Sequence, residues 1–280
     1  MSSGSKNNNL HIFATKTPWQ FIFVVILYTI GAVSFPTSIF SYILGSSENA
    51  KMISIFLSRA ICLILPIWLI FEVKTQKILL GKFSLKSLVI ILPFLIVVIN
   101  NFPIISLLSG DVSFSDDNNF IKWLCYSLVV LGGVLIEEFT FRGLVLPTLY
   151  MHFKSSNKRV FLTVLAQSAL FGLVHLVNLF AGSGFVPVIM QIGYSFLIGA
   201  VCGIAFIKTG NFYSAVVIHF IFNLGGMLYD YNMISGNVWT NLTIVVTVII
   251  AIIVAIYALY LVFIDKNDKL KEVLYLSEEE

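Results

Sequence analysis

Residues 133–145 read GVLIEEFTFRGLV, so Glu137, Glu138 and Arg142 stand inside a run that is otherwise apolar. What surrounds that run follows from the whole chain. Its 280 residues are 58% hydrophobic and 11% charged, with a mean hydropathy of +0.96. Ordinary soluble domains are about 45–50% apolar and about 25% charged. A chain this apolar cannot cover a soluble surface with polar atoms, and it reads as an all-α, polytopic integral membrane protein of the cell membrane.

A spanning helix takes about 20 apolar residues. The segments 18–44, 52–72, 86–108, 121–149, 159–180, 186–207, 212–228 and 239–264 qualify, which predicts about eight transmembrane helices. The first is too long for a signal peptide and lacks a small-residue cleavage site, so it reads as a retained anchor starting at Pro18-Trp19. The polar SSGSKNNN stretch before it reads as disordered.

Lys and Arg set the orientation. With the N-terminus cytoplasmic, the inner segments hold Lys6, Lys16, Lys74, Lys77, Lys82, Lys86, Lys154, Lys158, Arg159, Lys208, Lys266, Lys269 and Lys271. The opposite loops keep Lys51 and Lys122 and carry Asp111, Asp116, Asp117 and Asp230. Both termini are therefore expected in the cytoplasm. The chain divides into a cytoplasmic N-terminus (1–17), three N-terminal spans (18–108), a membrane core (121–264) and a cytoplasmic tail (265–280) able to form a short surface helix.

The net charge of +3 comes without the basic block that tracks a phosphate backbone, so no nucleic-acid partner is expected. Cys62, Cys125 and Cys202 lie in separate apolar segments without CxxC spacing and read as buried small hydrophobes.

Once the loops are assigned, the ionisable residues left in apolar spans are Arg59, Glu137, Glu138, Arg142, His175 and His219. A charge at mid-bilayer costs about 2.5–3.5 kcal/mol on insertion scales and usually faces a bundle interior or a wet cavity. On a helix, Glu138 and Arg142 lie about 40° apart and can pair, while Glu137 points about 100° away from Glu138. One carboxylate is thus expected to be structural and the other free for chemistry. The competing reading is a buried charge network that only holds helices in register.

Two further polar sites follow. In SALFGLVHLVN, Phe171 and His175 share a face, and in AVVIHFIFNLGG, His219 and Asn223 do. Each alone reads first as helix glue, since His and Asn hydrogen-bond across membrane helices. Gly199 and Gly203 form one GxxxG, a close-packing signal. Counted at about 1.5 Å per residue from the cytoplasmic ends, His219 lies roughly 10 Å deep and His175 more than 20 Å deep. That mismatch requires the fifth span to start low or tilt. Gly143 and Pro147 are positioned to break the fourth span and adjust its depth.

EEFTFR (137–142), FGLVH (171–175) and HFIFN (219–223) together resemble the three ordered motifs of the CPBP family of intramembrane proteases, named for CAAX proteases and bacteriocin-processing enzymes. The resemblance covers about 121–228. It implies that Glu137 is the general base activating a water and that His175 holds that water. It further implies that His219 and Asn223 stabilise the oxyanion, with Glu138 and Arg142 as a supporting pair. A carboxylate removed from bulk water is a better proton acceptor, and preorganised donors are worth most where water is excluded. Glu137, His175 and His219 would also make a His2Glu set for Zn2+, as in zinc peptidases. Without HExxH, the metal-free glutamate reading is preferred.

The function expected is an endopeptidase acting on a small membrane-associated peptide or protein: a prenylated CAAX-type tail, a bacteriocin leader or a pheromone precursor. Heavy Ile, Phe, Lys and Asn usage hints at an AT-rich bacterial genome, which favours peptide processing or bacteriocin immunity over a prenyl substrate. A non-catalytic membrane scaffold or immunity protein is the alternative. A proton-coupled transporter ranks last, because the front half has no polar set matching that of the back half.

Overall fold

The computed structural model describes residues 9–35, 37–82 and 84–275. The expected disorder of residues 1–8 falls outside that range. Helices α1 (Asn9–Lys16), α2 (Pro18–Val33), α3 (Ser38–Leu44), α4 (Glu48–Cys62) and α5 (Ile64–Glu72) lead to a 3-10 turn, Gln76–Leu80. Then come α6 (Leu85–Ile99), α7 (Ile104–Leu108), a short strand β1 (Val112–Phe114) and α8 (Phe120–Thr140). A π turn, Phe141–Val145, joins α8 to α9 (Leu146–His152). The rest is α10 (Arg159–Leu173), a 3-10 turn Val174–Leu179, α11 (Phe185–Thr209), α12 (Phe212–Gly226), β2 (Ile234–Gly236), α13 (Asn241–Phe263) and α14 (Lys269–Tyr275).

The chain is an all-α membrane protein, and every apolar segment of the sequence carries helix. Five helical runs have the length and composition to cross a bilayer: Glu48–Glu72, Phe120–His152, Arg159–Leu179, Phe185–Thr209 and Asn241–Phe263. A sixth arises if α1 and α2, bent by 110°, count as one span; α6 and α12 are shorter apolar helices. Helix α2 begins at Pro18, where the first span is expected to start, but stops at Val33 rather than 44. The FPTS sequence explains the stop, since the residue before a proline is pushed out of the helical region.

The run Phe120–His152 is the axis of the fold. Residues 140–150 are all buried, the charged Arg142 among them. Instead of the break anticipated at Gly143 and Pro147, the helix stays continuous through the π turn. Pro147 has no N–H for the Gly143 carbonyl, and the Thr75 hydroxyl donates to that oxygen at 3.3 Å. A side chain at Gly143 would stand 2.6 Å from Ile70 Cδ1, so the missing Cβ lets α5 approach. By contrast α13 shows Ile249, Ile252, Ile253 and Ile256 on its surface, the outward apolar face of a helix that meets lipid.

Two features set the level of α12, the helix that carries His219 and Asn223. Gly210 takes the left-handed conformation (φ 63°) that ends α11, and the fully buried Asn211 caps α12 by accepting the Tyr213 N–H at 2.9 Å. Beneath this turn lie the Gln76–Leu80 turn and α14. A Cβ on Gly81 would touch the Gly210 carbonyl at 2.7 Å, and one on Gly210 would touch Lys269 Cβ at 3.1 Å. The tail expected as a surface helix is thus partly a floor, with Leu270 and Leu274 buried. At the opposite end, β1 and β2 pair antiparallel (Val112 with Gly236, Phe114 with Ile234) and tie the acidic loop to the α12–α13 connection.

Candidate active site

Glu138 and Arg142 are both fully buried. Arg142 Nη1 donates to Glu138 Oε1 at 2.7 Å, the i,i+4 pair that helical spacing predicts. Nη2 donates to the Gly199 carbonyl of α11 at 3.0 Å, and the guanidinium lies 4.9 Å over the Phe171 ring of α10. Gln167 Nε2 donates to the same Gly199 carbonyl at 2.8 Å. A Cβ at Gly199 would stand 3.1 Å from Phe171 Cδ1 and 3.4 Å from Ser168 Cα. The GxxxG signal therefore marks a place where α10 and α11 come close enough for one carbonyl to take two donors. Gln167 carried no signal, because a lone glutamine in an apolar helix has no spacing partner.

Glu138 Oε1 accepts a second bond, from His219 Nδ1–H at 2.7 Å. This link joins residues 81 positions apart on two helices, so no periodicity could reveal it. With Nδ1–H donated to Glu138, His219 Nε2 faces Asn223 Nδ2 at 3.1 Å and Glu137 Oε2 at 3.6 Å. The neighbouring glutamates separate as the helical angle requires. The Glu138 side chain has no exposure, and that of Glu137 has 21%.

His175 stands just beyond α10, in the Val174–Leu179 turn. Its Nδ1–H donates to the Phe171 carbonyl at 3.0 Å, which leaves the Nε2 lone pair open. Its hydrogen bond runs within its own turn rather than to Glu137. What gathers the site is the Phe171 ring, edge-on to His175 at 5.6 Å, to His219 at 5.6 Å and to Phe141 at 4.9 Å. Both histidines thus flank one aromatic ring, and the depth mismatch computed from the sequence disappears. The reason is that α12 starts on the buried Asn211, above the α14 floor.

Arg59, from the first half of the chain, lies against this helix too. Its Nη1 donates to the Val129 carbonyl at 3.0 Å and sits 3.0 Å from where a Gly133 Cβ would be, one turn from Glu137. Gly132 and Gly133 give it room. Asn178 turns away and donates to Gln191 Oε1 at 2.7 Å. Among the described residues, no three His, Cys, Asp or Glu side chains are grouped to hold a metal ion. Glu137, His175 and His219 as placed do not form such a set, and the His219 Nε2 lone pair is directed at Asn223.

Residues 119–225, from the cap of α8 to the last turn of α12, match the family model described as type II CAAX prenyl endopeptidase Rce1-like. Neither a curated protein nor a solved structure matches the chain significantly.

Proposed function

With residues 119–225 matching the Rce1-like family model, that of CAAX prenyl endopeptidases, we propose that the chain hydrolyses a peptide bond in a small membrane-associated peptide or protein. Glu137 is the base. A water that donates one hydrogen to the Glu137 carboxylate and the other to the open Nε2 of His175 presents its lone pair to the scissile carbonyl carbon. Glu137 takes the proton as the C–O bond forms, then delivers it to the amide nitrogen as the C–N bond breaks. The products are a carboxylic acid and an amine.

The oxyanion forms beside α12. One Asn223 amide hydrogen is held at His219 Nε2, and the other is available to the developing charge. Through Nε2, His219 orients that amide while its Nδ1–H stays on Glu138. Glu138 fixes that imidazole, and Arg142 holds Glu138 in the apolar core. No step runs through a metal. The substrate class that sequence composition favours is a bacteriocin or pheromone precursor, with a CAAX-type tail as the class the family description names.

The observation that carries this reading is the 3.6 Å approach of the partly exposed Glu137 carboxylate to His219 Nε2, next to a fully buried glutamate whose Oε1 holds Arg142 and His219. The buried network also suits the alternative, a scaffold or immunity protein whose polar groups only lock α8, α10, α11 and α12 together. Reconstituted protein incubated with lipidated and unmodified peptide precursors, and read by mass spectrometry, separates the two. Cleavage that vanishes in Glu137→Gln supports the protease; cleavage that survives in Glu137→Gln removes Glu137 from the chemistry.

A further inference from the structure

On the side of the molecule that carries the Gln76–Leu80 turn and α14, a cavity of about 80 Å³ is lined by Lys82, Lys86, Lys208 and Lys269 with Ser84 and Ser87. That volume suits one phosphate-sized group, given about 30 Å³ per liquid water. Two of the four ammonium groups are already engaged. Lys208 donates to the carbonyls of Asp265 at 2.6 Å and Asn267 at 2.8 Å and lies 3.5 Å from the Asp265 carboxylate. Lys269 pairs with Glu272 at 2.8 Å.

The other two are not neutralised. Lys86 reaches only the neutral Asn267 Oδ1, at 3.4 Å, and Lys82 forms no ion pair among the described residues. The cavity wall is also where α6 begins. Ser84 Oγ accepts the Ser87 N–H at 3.0 Å, and the first N–H groups of the helix add their positive end. Directly beside these cations, Leu85 is 80% exposed and Val89 62% exposed, an apolar face for a hydrocarbon chain.

We propose that this cavity binds a phosphate-bearing anion, with Lys82 and Lys86 as its ligands. The apolar face next to it makes the headgroup of an anionic phospholipid the favoured source over free phosphate. Basic pockets at the ends of membrane helices recognise headgroups in this way. The bound phosphate would sit against Lys208 and Thr209, the turn from which the His219 helix starts, and would brace α6, α14 and that turn together.

The test uses the full chain in neutral detergent, titrated separately with phosphatidylglycerol, phosphatidylcholine and inorganic phosphate. Binding is read by native mass spectrometry and thermal stability by unfolding scans. Phosphatidylglycerol is expected to bind and raise the unfolding temperature, and phosphatidylcholine to do neither. Lys82→Gln/Lys86→Gln should weaken phosphatidylglycerol binding on the order of twenty-fivefold, about fivefold per lysine. Lys82→Arg/Lys86→Arg should restore it, and Lys154→Gln/Lys158→Gln, charges outside the cavity, should leave it unchanged. An equal response to inorganic phosphate would make free phosphate the source and uphold the site. Equal binding of both lipids, or undiminished phosphatidylglycerol binding by the Gln pair, would overturn it.

Discussion

His219 Nδ1 lies 2.7 Å from Glu138 Oε1, and the same oxygen takes the Arg142 guanidinium at 2.7 Å. One buried carboxylate therefore holds both a fixed cation and the imidazole that faces Glu137. Removing its charge strands Arg142 in an apolar interior, a loss of about 3–5 kcal/mol for a broken buried pair. Glu138→Gln should lower the unfolding temperature and abolish cleavage together. Glu137→Gln should leave unfolding unchanged while lowering kcat/KM by about 10²–10⁴-fold, the usual worth of a general base. Paired unfolding scans and cleavage assays on the two variants check the division of labour.

Arg142 uses two nitrogens on two helices, Nη1 on Glu138 and Nη2 on the Gly199 carbonyl. A lysine offers one nitrogen at the end of a flexible stem and cannot reproduce that planar fork. Arg142→Lys should therefore remain destabilised relative to wild type, although it keeps the charge. A thermal scan in which the lysine variant matches wild type would show that charge alone suffices.

Two glycines on the α10–α11 contact should rank in a definite order. A Cβ at Gly172 would stand 2.8 Å from the Ile192 carbonyl oxygen, a backbone atom that cannot turn aside. At Gly199 the nearest atom is Phe171 Cδ1 at 3.1 Å, which can shift. Gly172→Ala should cost more stability than Gly199→Ala, in the range of about 1–3 kcal/mol for overpacking. Gly199→Ala should act more on activity, because Phe171 carries both histidines on its edges.

The loop at the start of α8 sets a pH dependence. The Lys122 ammonium donates to Asp117 at 2.8 Å and to the Asn232 carbonyl at 3.1 Å, with Glu48 at 3.5 Å. The Lys122 hydrogen bond holds the Asp117 carboxyl below the usual carboxylate range. A depressed folded pKa gives stability that is complete above the unfolded value, about 3.9, and is lost as pH falls through the folded one. Acid unfolding of Asp117→Asn should be less steep than that of wild type below about pH 4. Hydrogen exchange of residues 115–122 between pH 3 and 6 measures it.

Much of this fold is legible in the composition and in runs of apolar residues, because a bilayer demands long helices and admits little else. The separation of Glu137 from Glu138 is legible too, being one step of helical angle. What escaped were contacts without local period: His219 on Glu138, Gln167 on Gly199, Phe171 between two imidazoles. Depth also escaped. Counting residues from a membrane face fails when a helix such as α12 starts on a protein floor built from Lys208, Asn211 and the distant α14.

The π turn Phe141–Val145 has a bearing on register. A π turn holds one residue more than the α-helical ladder would, so everything beyond it is rotated by roughly 100° relative to an unbroken helix. Tyr150 consequently reaches the Asp268 carboxylate of the tail, while Glu137 and Glu138 keep their own orientation upstream. The widened turn acts as a swivel, allowing one rod to satisfy an inner chamber and an outer strap that a uniform spiral would set at odds.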